Sequence, residues 1–261
     1  MLALVLITVF AWAWLIGGAG TLMVPQTSLL PPLAEHPAPQ AMPMPDMVRT
    51  GRSSSAPSAW TPLRFGLTLT MWWTMMIAMM LPSAAPTILL YSKASSHGDA
   101  KTQPSTAGFL IGYLFAWGAF SLLATGVHAG LERTGYISEM LLASRSRWLS
   151  AGILFSAGIY QLTPIKNMCL RHCRNPGQFL SRHYRPGRSG ALQMGLIHGV
   201  YCIGCCGLLM LLLFIGGVMN LAWIALLTLM VAAEKLLPHG RLVSLVTGAA
   251  SILGALVFLL R

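Results

Sequence analysis

From Gly190 to Ala233 the chain carries no Asp, Glu, Lys or Arg. A run of that length, broken only by the Gly216, Gly217 pair, cannot be laid over the surface of a water-soluble domain. In hydrocarbon each backbone N–H and C=O must be satisfied inside its own segment, so the run reads as two bilayer-crossing helices joined by a glycine turn. Composition agrees: 55% of the residues are hydrophobic and 9% are charged, against about 25% charged in a typical soluble protein.

The expected fold class is therefore all-α, a polytopic transmembrane helix bundle of about seven spans, or about six if the first segment is cleaved. Residues 1–24 form the first span. It lacks the basic start of a cleavable signal and is expected to be retained. Residues 25–62, rich in Pro, Met and Ser and including Met42, Pro43, Met44 and Pro45, form a flexible extracytoplasmic loop that cannot pack a core. Residues 63–261 form the helical membrane domain. Its spans are Leu63 to Tyr91, Ala107 to Leu131, Trp148 to Pro164, Gly190 to Phe214, Val218 to Leu237 and Leu242 to Leu260. Pro82 and Pro86 each lack a backbone donor and should break or kink the far end of the second.

The net charge of +11 would suggest nucleic acid in a soluble domain. Here the basic residues sit in loops, and Lys166, Arg171, Arg174, Arg182, Arg185 and Arg188 crowd into one of them. The positive-inside rule places that loop in the cytoplasm. Counting outward gives an integral membrane protein with a cytoplasmic amino terminus and an extracytoplasmic carboxyl terminus. Its partner is the lipid bilayer rather than nucleic acid.

Within the fifth expected span, GLIHGVYCIGCCGLLM holds a histidine and three of the five cysteines. At 100° per residue His198, Cys202 and Cys205 share a stripe, with Cys206 beside it. Polar side chains at that depth are costly without a partner and mark function by default. Gly195 and Gly199 form a GxxxG that invites another helix. The bland alternative is that cysteine is a small hydrophobe and His198 bonds to a neighbour. On the second span Met75 and Met79 lie one turn apart, as do Met76 and Met80. Thioethers suit Cu(I), although methionine also serves as core filler.

In the basic loop a short helix would put Cys169, His172 and Cys173 on one face. The surrounding cations should lower the thiol pKa values, favouring ligation or redox chemistry. Glu234, near the end of the sixth span, is a candidate carboxylate ligand, proton relay, or partner of His198 or Arg241. Its neighbour Lys235 points elsewhere and is expected to snorkel to the interface. Asn220 is expected to cap its helix.

The motifs MWWTMMIAMMLPSAAP, YQLTPIKNMCLRHCRNP, GLIHGVYCIGCC, GGVMNLAW and EKLLPHG together span Met71 to Gly240. This combination resembles a bacterial domain-of-unknown-function family described as predicted metal-binding integral membrane proteins. By matching positions the resemblance implies Met75, Met76, Met79, Met80, Cys169, Cys173, Cys202, Cys205, Cys206 and Glu234 as site residues. Gly207 departs from the tryptophan that usually follows the double cysteine there.

The leading expectation is a protein that binds a soft transition metal for handling or delivery. Copper is the first candidate and zinc the second, with a metal chaperone or a membrane complex as partner. The alternatives are a membrane thiol-disulfide oxidoreductase using the CxxC of Cys202 and Cys205, or a structural subunit whose cysteines only pack.

Overall fold

A computed structural model of the chain describes residues 1–20, 60–95, 106–138, 142–185 and 187–260. The end of the first expected span and the Pro/Met/Ser-rich loop as far as residue 59 lie outside the described residues. The helices are α1 (Leu2–Ile16), α2 (Pro62–Ser95), α3 (Thr106–Arg133), α4 (Arg147–Leu162), α5 (Pro164–Arg174), α6 (Pro176–His183), α7 (Gly187–Met210), the single turn α8 (Leu213–Gly216), α9 (Leu221–Leu236) and α10 (Gly240–Leu260). The protein is all-α. Among the described residues the sole β pairing is an isolated bridge between Ile137 and Ser144.

Four helical stretches are long and apolar enough to cross a membrane: Pro62–Lys93, Thr106–Arg133, Gly187–Gly216 and Gly240–Leu260. The first, fourth and sixth expected spans form helices of 15, 16 and 16 residues, short of the roughly 20 a crossing needs. Local chemistry ends two of them. Thr163 leaves α4 in extended geometry and caps α5 by accepting from Lys166 N, with Pro164 in the first turn. Leu237, before Pro238, is likewise extended and closes α9.

Pro82 and Pro86 do not break α2, which runs through both as one helix of 34 residues. Pro82 removes the N–H that would have bonded Ala78 O, and Trp12 Nε1 of α1 donates to that same carbonyl at 3.2 Å. A neighbouring side chain thus supplies the missing donor.

The main packing pairs are α3 along α7 and α4 along α10. The GxxxG expectation holds on α7. A Cβ on Gly195 would collide with the Phe109 carbonyl of α3, and one on Gly199 would stand 2.5 Å from Ala116 Cβ. Gly112 of α3 is equally tight against the Leu192 carbonyl, so the two backbones approach through glycines on both sides. Gly217 turns the chain after α8 with φ +94°, a conformation L side chains rarely adopt.

The expected basic loop is in fact two short helices. α5 packs along α7 and buries its own Lys166. Its amphipathic sequence supplies the reason: Leu170 turns into the core while Arg171 stays at the surface.

Candidate metal centre

Three cysteines of α7 are enclosed: Cys202, Cys205 and Cys206 are at most 1% exposed. Helical spacing lets Cys205 and Cys206 both donate to Cys202 O, at 3.1 and 2.8 Å. Each of the three also reaches a different helix. Cys206 Sγ lies 3.5 Å from Met80 Sδ of α2. Cys205 Sγ lies 3.9 Å from Cys173 Sγ of α5. Cys202 Sγ lies 3.0 Å from Lys235 Nζ of α9 and 3.2 Å from Tyr113 Oη of α3. All five cysteines are free thiols.

The 3.9 Å between Cys205 and Cys173 matches the spacing of two sulfurs on one ion, whereas the 3.5 Å between Cys206 and Met80 is a closer, direct contact. Two sulfurs each about 2.3 Å from one ion stand about 3.8 Å apart in tetrahedral geometry and about 4.0 Å apart in trigonal geometry. Among the described residues no three His, Cys, Asp or Glu side chains form a group that could hold a metal ion. The soft donors meet as Cys173 with Cys205 and Cys206 with Met80, and Cys173 also interacts with Cys202.

The other expected site residues are placed as follows. Met75, Met76 and Met79 are buried with Met80 in the same core, and Met80 is the one whose sulfur touches a thiol among the described contacts. His198 is enclosed by the rings of Phe109, Tyr113 and Phe179. Its Nδ1 is buried and has no hydrogen-bond partner among the described residues. His172 stays on the expected face with Cys169 and Cys173, all three lying against α7, and its ring stacks on Tyr201 at 4.1 Å with a 2° interplanar angle. Cys169 lies against Gly204, where a Cβ would stand 2.7 Å from its Sγ.

The thiols of α5 correct the expected pKa values. Burial, followed by the charge of Cys205, raises the pKa of Cys169. Hydrogen bonds to Cys202 and Cys205, then burial, hold Cys173 well above the ordinary thiol range. The basic residues of this segment therefore do not produce low-pKa thiols, because desolvation and neighbouring sulfur outweigh them.

Glu234 partners neither His198 nor Arg241. Its Oε2 accepts from Lys166 Nζ at 2.7 Å and its Oε1 from Gln161 Nε2 at 2.8 Å. The fold-back of α5 brings Lys166 to it. Lys235 does not snorkel. It is 6% exposed and donates to Cys202 and, at 3.0 Å, to Ser83 Oγ. Lys235, Tyr113 and Ser83 are the members that sequence reasoning missed. The one available signal was a lysine on the inner side of Pro238, beside Glu234 at the end of a mostly apolar helix. Beside the double cysteine, Phe120 of α3 fills the space next to Gly207, so a Cβ there would be 3.4 Å from its ring.

No curated protein and no solved structure matches the chain. A family model described as a copper chaperone, PpoB2, matches residues 69–258, from the methionine helix to the end of α10. That match covers well over half of the chain and includes every sulfur contact of the centre. The chain belongs to the PpoB2 family of copper chaperones.

Proposed function

We propose that the protein is a multi-pass copper chaperone of the bacterial inner membrane. It holds Cu(I) on sulfurs drawn from Cys202, Cys205, Cys206, Cys173 and Met80. The observation that carries this reading is the meeting of soft donors from three helices, Met80 with Cys206 and Cys173 with Cys205, at 3.5 and 3.9 Å. Thiolate and thioether together favour Cu(I) over harder ions. Met75, Met76 and Met79 extend the sulfur row along α2 toward the extracytoplasmic end. Cys173 and Cys169 carry it to the basic, cytoplasmic end, where an acceptor protein or membrane complex takes the ion. Glu234 serves the fold through Lys166 and leaves ligation to sulfur.

Metal analysis tests this reading on protein purified anaerobically under reducing conditions, alongside the double variant Cys202→Ser, Cys205→Ser. The wild type should retain copper and the variant should not. Absence of copper from both would end the proposal. The proximity of Cys173 to Cys205 also supports a redox reading, whose disulfide would join these two helices rather than the CxxC pair. Thiol alkylation separates the two: a metal site is labelled only after chelation, whereas a redox pair is labelled only after reduction.

A further inference from the structure

We propose that His172 and His183 form a second ion site, an imidazole pair between the enclosed thiols and the cytoplasm, where Cu(I) pauses as it leaves the protein. This rests on the copper reading above and adds to it the place of release.

The two histidines come from different helices, α5 and α6, and share one neighbour on α7. The ring of His172 stacks on Tyr201 with centroids 4.1 Å apart, and the ring of His183 meets Tyr201 edge-on at 6.2 Å. The two imidazole centroids are 6.4 Å apart. Both rings are anchored in the same way. His172 Nδ1 lies 2.8 Å from Met168 O, and His183 Nδ1 lies 3.1 Å from Phe179 O. A carbonyl oxygen only accepts, so each Nδ1 carries the hydrogen and each Nε2 keeps its lone pair. That is the tautomer in which histidine binds a metal, its other ring nitrogen donating to a backbone carbonyl. Among the described residues neither Nε2 has a hydrogen-bond partner.

The spacing fits one small ion. With metal–nitrogen distances of about 2.0–2.1 Å, two imidazoles on one ion have centroids about 5.2 Å apart at a tetrahedral angle and about 6.4 Å apart in line. The observed separation is that of the in-line arrangement, which suits two-coordinate Cu(I).

Position gives the pair its role. Cys202, Cys205 and Cys206 are at most 1% exposed, whereas both histidines and Cys173 are half-buried. His172 directly precedes Cys173, and Tyr201 directly precedes Cys202. A cation leaving the sulfurs through Cys173 meets these imidazoles before it meets bulk water. Imidazole is a harder donor than thiolate and holds Cu(I) less tightly. Arg171 and Arg182, exposed beside the two histidines, add a screened repulsion. Both effects favour release to the thiols of an acceptor over storage.

The test uses the full chain in detergent, kept anaerobic with a non-thiol reductant and titrated with Cu(I) until uptake stops. Diethylpyrocarbonate labels free imidazole nitrogens, and peptide mass spectrometry reads each histidine separately. At free Cu(I) about ten times the Kd of the pair, mass action leaves about one pair in eleven empty, so labelling of His172 and His183 should slow about tenfold. His239, exposed in the turn between α9 and α10, should keep its rate. In His172→Phe, which keeps a ring against Tyr201, Cu(I) should no longer protect His183, and the reverse should hold in His183→Phe. Protection of the surviving histidine in either variant would mean that Cu(I) shields it by tightening α5 against α7, and would overturn the pair. Equal labelling of both histidines with and without Cu(I) in the wild type would overturn it too, and that measurement needs no variant to fold. No Cu(I) uptake by the wild type would remove the copper reading and this site with it. Uptake with both histidines unprotected would remove this site alone.

Discussion

Lys166 Nζ lies 2.7 Å from Glu234 Oε2, with both side chains 1% exposed. The pair ties α5 to α9 and so places Cys173 beside α7. Removing one partner of a buried pair strands the other charge and costs about 3–5 kcal/mol, whereas replacing both by apolar groups is close to neutral. Lys166→Met should lower the thermal unfolding midpoint sharply, and Lys166→Met with Glu234→Leu should recover most of the loss. Equal destabilisation of the single and double variants would show that the charges are not the cause.

Trp12 and Pro82 act on one carbonyl, Ala78 O, and their substitutions should not be additive. In the wild type Trp12→Phe leaves that carbonyl without its donor and should cost about 1 kcal/mol. In a Pro82→Ala background the backbone N–H returns, and the same substitution should cost distinctly less. A double-mutant cycle of unfolding free energies reads the coupling directly. A coupling of zero would mean that Trp12 does not compensate the proline.

Met80 is the thioether in contact with a thiol, and the four methionines of α2 should therefore be unequal. Met80→Leu keeps the volume and removes the sulfur beside Cys206, so Cu(I) affinity should fall about tenfold, or about 1.4 kcal/mol. Met75→Leu should change it by less than about twofold, on the same scale. Competition titration with a Cu(I) chelator compares them. A common loss across both variants would point to packing rather than ligation.

Cys169 is partly exposed and its thiol is raised above the ordinary range by burial and by Cys205. A raised pKa means less thiolate at neutral pH. Its alkylation should therefore run slower than that of a model thiol at pH 7.5, and the rate should climb about tenfold per unit until the thiol ionises. Mass spectrometry after timed labelling gives the profile. A rate at pH 7.5 equal to or above that of the model thiol would mean that the basic residues of α5 govern Cys169 after all.

Much of this was legible because it depends on local period and local caps. The stripe of Cys202, Cys205 and Cys206 follows from 100° per residue. The close approach at Gly195 and Gly199 follows from the absence of side chains. Asn220 caps α9, with its Oδ1 accepting from Ala222 N and Trp223 N, as its position before an apolar run suggests. The continuity of α2 was not legible, because the donor that replaces the one lost at Pro82 comes from Trp12, 66 residues from the Ala78 carbonyl it serves. The burial of Lys235 was not legible either. A lysine near a helix end has two physical solutions, snorkelling or pairing, and the choice depends on what the next helix presents.

The sequence by itself determined that the chain is helical and apolar, which faces of α2 and α7 carry sulfur, and where α4 and α9 must stop. Those properties follow from hydropathy, the helical period and proline chemistry, each acting within a few residues. Only the tertiary structure decided that Cys205 meets Cys173, that Cys206 meets Met80, and that Lys235 rather than Glu234 faces the thiols. These pairings join positions 32, 126 and 33 residues apart. They are set by how closely glycine-bearing helices approach and by the need of each buried charge for an opposite one.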